Sequence, residues 1–145
     1  MTDNLSLVRA DQGQIEYVRQ KLIEYNARHV ADELKSVYEP IHLILKNEQG
    51  DIVAGLLSCL CWNWVEVDIL WVDEPYRHQG YGTRLLQAIE DTARSKGADF
   101  LKLNTFGFQA PEFYKKHGFQ LLFEIDNAPR GSRHYYFMKP LRPVE

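Results

Sequence analysis

The chain has 145 residues, 45% of them hydrophobic and 26% charged, with a formal net charge of −3. This is the size and composition of one ordinary globular domain with its own core. The acidic balance argues against a nucleic-acid partner, which needs a basic face, and no apolar run reaches the roughly 20 residues of a membrane span.

In chain order, Leu5–Arg9 reads as a first strand. Asp11 is a good helix N-cap, and Ile15, Val18, Leu22 and Ile23 follow at amphipathic helical spacing. A second, weaker helix is expected from about Ala27 to Val37, ended by Glu39-Pro40. Ile41 to Lys46 and Ile52 to Cys61 read as strands joined by a turn over residues 47–51, making a hairpin. Trp64 to Val72 is a longer strand. Residues 77–83 form a glycine-containing loop. Thr83 to Lys96 is a helix with Leu85, Leu86, Ile89 and Ala93 on one face and Gly97 as its stop. Phe100 to Thr105 is a strand, Pro111 to His117 a short helix ended by Gly118, and Phe119 to Ile125 and His134 to Lys139 are closing strands.

The order β-α-α-β-β-β-α-β-α-β-β predicts an α/β chain. Its early strands pair as hairpins and its middle β-α-β unit is a parallel crossover, so the sheet is mixed, with helices on its faces. Composition is even from end to end, so residues 1–145 are expected as one domain. Met1-Thr2-Asp3-Asn4 lacks the basic and apolar regions of a signal peptide. Cys59 and Cys61 have no matching Cys or His pair, and on a strand they point the same way. Reduced thiols and a cytoplasmic location are therefore expected. The five histidines show no metal-ligand spacing, and no metal is expected.

The strongest chemical signal is the segment from Val72 to Thr83. Gly80 and Gly82 let the backbone turn tightly between a strand and a helix. The helix begins with unpaired N–H groups, and these with the helix dipole make an anion site. Arg77 and His78 add positive character. Taken alone, Gly-x-Gly is also a plain strand-to-helix turn. The loop lacks the third glycine of the dinucleotide fingerprint and the Gly-Lys-Ser/Thr of a Walker loop.

The wider pattern narrows the choice. Arg77-x-x-Gly80-x-Gly82 resembles the acyl-CoA loop of the GNAT superfamily of N-acetyltransferases. Ala110-Pro-Glu-Phe113-Tyr114-Lys-Lys-His-Gly118-Phe119 resembles that family's second signature. The two come in the family's order, about 30 residues apart, and the order of elements fits across essentially the whole chain. The resemblance implies a mixed, mostly antiparallel sheet with helices on both faces, and acetyl-CoA as co-substrate. The pyrophosphate would lie on Arg77, His78, Gln79, Gly80, Tyr81, Gly82 and Thr83. The pantetheine arm would run between two splayed strands, along Leu70, Trp71 and Val72, with the N–H near Trp71 or Val72 polarising the thioester. Tyr114 matches the tyrosine that acts as general acid at the sulfur. The alternative for it is a half-buried helix aromatic.

Glu66 and Asp68 are carboxylates inside an apolar strand. With period two they are expected to share a face with Leu70 and Val72. Either acid could receive the amine's proton, directly or through water. An exposed strand face or an internal salt bridge explains them equally well. One departure from the family is Gly107, where an asparagine is common; Asn104 and Gln109 are the candidates to replace its contact to pantetheine. The implied reaction is direct acetyl transfer to a primary amine, with a small-molecule acceptor ahead of a protein or peptide one. A non-catalytic CoA-binding module is the reading from another class. A homodimer through the C-terminal edge strands is compatible with the pattern, which does not fix the oligomeric state.

Overall fold

The computed structural model describes residues 4–142 and divides the chain into two compact units, one up to Ser36 and one from Val37 onward. The first unit holds helix α1, Gln12–Ala27. Its start is fixed by a capping box. Asp11 Oδ1 accepts from the Gln14 N–H at 2.9 Å, and Gln14 Oε1 accepts from the Asp11 N–H at 2.9 Å. The expected second helix is reduced to one 3₁₀ turn, Asp32–Leu34. Leu5–Arg9, expected as a strand, joins no ladder and has no regular structure. A strand exists only where its backbone groups find a neighbour, which alternation in sequence does not guarantee.

The second unit is built on six strands: β1 (Tyr38–Lys46), β2 (Ile52–Cys61), β3 (Trp64–Val72), β4 (Phe100–Phe106), β5 (Gln120–Asp126) and β6 (Arg133–Pro140). Helix α2 (Tyr81–Ser95) follows β3, and helix α3 (Pro111–Lys116) follows β4. The sheet order is β1-β2-β3-β4-β6-β5, with β3 and β4 parallel and every other pair antiparallel. Strand β1 begins earlier than expected and takes in Pro40. It is tolerated because β1 is an edge strand, where a missing N–H costs no ladder bond.

One face of the sheet carries the core. Ala54, Leu56, Leu60, Val65, Val67, Leu101, Leu103 and Phe137 meet Leu85, Leu86, Ile89 and Ala93 of α2. Glu90 is buried in the same helix, and its carboxylate lies 2.8 Å from Lys139 Nζ of β6 and 3.4 Å from Arg94. Burial works to raise its pKa. The two cations outweigh that and hold it below the usual carboxylate value, which ties α2 to β6. Leu56 is fully buried at the centre of this layer. Leu56→Ala is expected to cost about 2–5 kcal/mol, read from urea unfolding. Ile44→Ala, at a position 49% exposed, should cost under about 0.5 kcal/mol.

Candidate active site

The parallel pairing of β3 with β4 covers only Trp64 to Val67 against Phe100 to Leu103. Both strands run on, to Val72 and Phe106, so the sheet opens between them. The opening begins at a bulge. Leu57 and Ser58 of β2 face Ile69 and Val67, which leaves Asp68 as an extra residue. A bulge bends its strand and shifts its side chains by one position. This overturns the period-two expectation. Val65 and Val67 pack in the core before the bulge, and Leu70 and Val72 pack against it afterwards, so Glu66 lies on the opposite face from Leu70 and Val72.

The bulge also decides which backbone groups border the opening. Asp73 N–H is bonded to Val53 O at 2.9 Å, and Trp71 is paired with Gly55. Backbone groups alternate along a strand, so Leu70 and Val72 face the opening while Trp71 is turned to β2. The Val72 carbonyl is capped by Arg77 Nε at 2.9 Å.

Arg77 thereby anchors the loop that follows. A 3₁₀ turn, Glu74–Tyr76, leads into His78 and Gly80, whose φ values are 63° and 87°. Left-handed residues that alternate with right-handed ones, as here on either side of Gln79, turn successive N–H groups toward one point and make an anion-binding nest. Helix α2 then starts at Tyr81 with no side-chain cap. The N–H groups of Gly80, Tyr81, Gly82 and Thr83 have no protein acceptor among the described residues. This exposed row of donors fits a diphosphate. The two glycines serve different ends. Gly80 has open space around it and is needed for its positive φ, whereas a Cβ on Gly82 would stand 3.2 Å from Phe113 Cζ. Gly82 allows α2 to approach α3.

That approach is reinforced by His117. Its Nδ1 lies 2.8 Å from the Phe113 carbonyl, which can only accept, so Nδ1 carries the proton. In the neutral ring Nε2 then accepts from the Thr83 hydroxyl at 2.9 Å. The Phe113 and His117 rings pack with centroids 4.4 Å apart and planes tilted by 46°. Sequence reasoning assigned His117 no role beyond the end of the short helix, and found no metal-ligand spacing among the five histidines; the signal for this contact was the i, i+4 spacing from Phe113 on one short helix.

Tyr114 lies on the same helix and is 8% exposed, against Phe113, Phe119 and Phe137. Its hydroxyl has no protein hydrogen-bond partner among the described residues, yet is not sealed from solvent. Burial pushes its pKa up to about 12.

Of the two carboxylates, Glu66 is engaged on both oxygens. Trp64 Nε1 donates to Oε2 at 3.3 Å, and Lys102 Nζ lies 3.6 Å from Oε1. Asp68 is exposed and has no hydrogen-bond or ion-pair partner among the described residues. Cys59 and Cys61 are free thiols with sulfurs 3.0 Å apart. Burial first, then Cys61, Asp68 and Glu66, push the Cys59 pKa up to about 12. Gln109 Oε1 accepts from Thr105 Oγ1 and the Phe106 N–H, both at 2.9 Å, so it closes the turn after β4. Asn104 Oδ1 accepts from His134 Nε2 at 2.9 Å. A Cβ at Gly107 would stand 3.2 Å from Ser132 Oγ, so a larger residue there would have to shift that side chain slightly.

Comparison with known proteins follows this geometry. The profile described as "Acetyltransferase (GNAT) family" matches residues 11–119. The chain belongs to the GNAT acetyltransferase family. It is similar to a blasticidin-S acetyltransferase of Streptomyces morookaense, with 37% identity over 95 residues, 65% of this chain and 70% of the relative. It is similar to an acetyltransferase of Agrobacterium fabrum, with 26% identity over 70% of this chain and 72% of the other. A crystal structure of an acetyltransferase from Bacillus cereus superposes with a TM-score of 0.90 and 39% identity, covering 94% of this chain and 98% of that one.

The chain is thus an acyltransferase of a family that uses acetyl-CoA. Its fold brings the loop, the opening and α3 together around one end of β3. A cleft of about 460 Å³ beside the start of α2, lined by Ile44, Val53, Tyr76, Tyr81 and Arg84 among others, borders the loop and holds none of the expected catalytic residues. A phenol with a folded pKa near 12 binds its proton more tightly than the unfolded chain, whose tyrosines titrate near 10. Stability is therefore expected to be full below pH 10 and to fall as pH rises through about 12. Urea midpoints across this range test it, and Tyr114→Phe should remove much of the fall.

Proposed function

We propose that this GNAT enzyme transfers the acetyl group of acetyl-CoA directly to the amine of a small molecule in a ternary complex. The observation that carries this reading is the row of unpaired loop N–H groups beside the opening between β3 and β4. Acetyl-CoA supplies an acetyl group activated as a thioester. The loop from Arg77 to Thr83 holds the diphosphate by backbone donors and the helix dipole. The backbones of Leu70 and Val72 offer pairing along the opening, and the Val72 N–H is a donor for the oxygen on which charge develops. Asn104 stands at its far edge.

Tyr114 acts as proton donor to the departing sulfur. A phenol that stays neutral throughout the physiological range is fitted to give a proton rather than take one. Asp68 receives the cationic amine and accepts its proton, directly or through water. Glu66 is held by Trp64 and Lys102 and shapes the same face. Cys59 is a poor nucleophile, since the thiolate form is disfavoured up to about pH 12, and this favours direct transfer over a cysteine-bound acyl group. The small-molecule class is supported by the relative that acetylates blasticidin S.

Tyr114→Phe should lower kcat by about 10²–10⁴-fold, the range for losing a positioned proton donor; an unchanged kcat at saturating acetyl-CoA would refute the role. Gln79→Glu tests the loop, because it adds a negative charge without adding volume. Calorimetric titration with acetyl-CoA should show affinity weakened about tenfold or more. Absence of binding to the folded wild type, or equal affinity in the variant, would overturn the reading.

A further inference from the structure

Five aromatic rings form a row across β4, β6 and β5. Phe108 stacks on Phe106 at 5.5 Å with planes 2° apart, and Phe106 on His134 at 4.4 Å and 23°. His134 meets Tyr136 at 4.5 Å, and Tyr136 stacks on Phe123 at 4.5 Å. The register explains the row: Phe106 pairs with His134, and Phe123 with Tyr136. The His134–Asn104 hydrogen bond fixes the orientation of the imidazole.

The position of the row matters. Phe106, Asn104 and Lys102 alternate onto one face of β4, and Lys102 reaches Glu66 on that face. Asp68 is the exposed bulge residue beside Ile69, which faces Leu57, and Leu57 shares its face of β2 with Cys59, the partner of Glu66, so Asp68 stands on that face too. The row and the unpartnered carboxylate therefore flank the opening from its two sides. The planes of Phe108, Phe106 and His134 are close to parallel, with Phe106 in the middle. Phe108 continues the row two residues beyond Phe106, just past the end of β4. It is 68% exposed. Phe123 at the other end of the row is 51% exposed, so the row leaves a contiguous aromatic patch uncovered, and such a patch marks a contact surface.

We infer that the acceptor carries its amine on a flat, unsaturated ring system, which stacks on Phe108 while its ammonium group meets Asp68. This rests on the acetyl-transfer reading and adds a substrate class to it. The charge requirement comes from Asp68. The planarity requirement comes from a ring whose one face is taken by Phe106 and whose other face is free, since offset stacking rewards a flat partner over a puckered one.

The test compares phenethylamine with cyclohexylethylamine, two primary amines of one skeleton that differ in the flatness of the ring. Calorimetry is run on the protein with and without CoA. The wild type should bind phenethylamine about three- to tenfold more tightly. Phe108→Ala should abolish the difference and Phe108→Trp should keep it, with unchanged melting temperatures as the control on folding. Equal affinities in the wild type, or a preference that survives Phe108→Ala, would overturn the inference. If CoA itself fails to bind, the loop reading falls, and the amine preference is still read on the protein alone.

Discussion

The organising constraint is that β3 and β4 pair for four residues and then part. Parallel strands joined by a helix normally stay in register along their common length, because every unpaired backbone group is a cost. Here the extra residue Asp68 breaks the ladder with β2 just where the pairing with β4 ends. The freed groups are partly satisfied from within, as where Arg77 caps the Val72 carbonyl. The Val72 N–H and the backbone of Leu70 face the opening. The opening, the re-aimed carboxylates and the direction in which the chain enters the loop all follow from that one irregularity.

The loop then concentrates donors without spending a side chain on them. A left-handed His78, a left-handed Gly80 and an uncapped helix start give several N–H groups one direction. The chain is acidic overall, so anion binding has to come from this local arrangement rather than from the protein's field. Tyr114 supplies the opposite kind of environment. Aromatic neighbours exclude water from its ring and keep the phenol protonated. One end of β3 is thus bordered by unpaired backbone donors and by a neutral, buried phenol.

Much of this was legible in the sequence. The bounds of β2 and β3 follow directly from their apolar runs and turn residues, and Asp11 marks the start of α1 through its capping box. The loop's shape was legible because Gly80 and Gly82 stand between a strand and a helix. The bulge was not, since an extra residue in a strand leaves no mark in a pattern of alternating polarity, and period two carried across Asp68 put Glu66 on the wrong face. The separate duties of Gly80 and Gly82 were hidden for a similar reason. One answers to its own φ, the other to Phe113, thirty-one positions away. The aromatic row is likewise a product of strand register, as Phe106 and His134 become neighbours only once β4 and β6 are paired.

The contact between α2 and α3 has a mechanical consequence. Thr83 presents its N–H to the loop and its hydroxyl to His117, whose other nitrogen holds the Phe113 carbonyl one residue before Tyr114. Gly82 is seated on the Phe113 ring. The first turn of α2 and the whole of α3 are therefore one mechanical piece. Anything that draws the loop tight also sets the attitude of the phenol. A change on either side of that contact is therefore felt on both: losing the His117 ring would loosen the first turn of α2 together with the short helix that carries Tyr114.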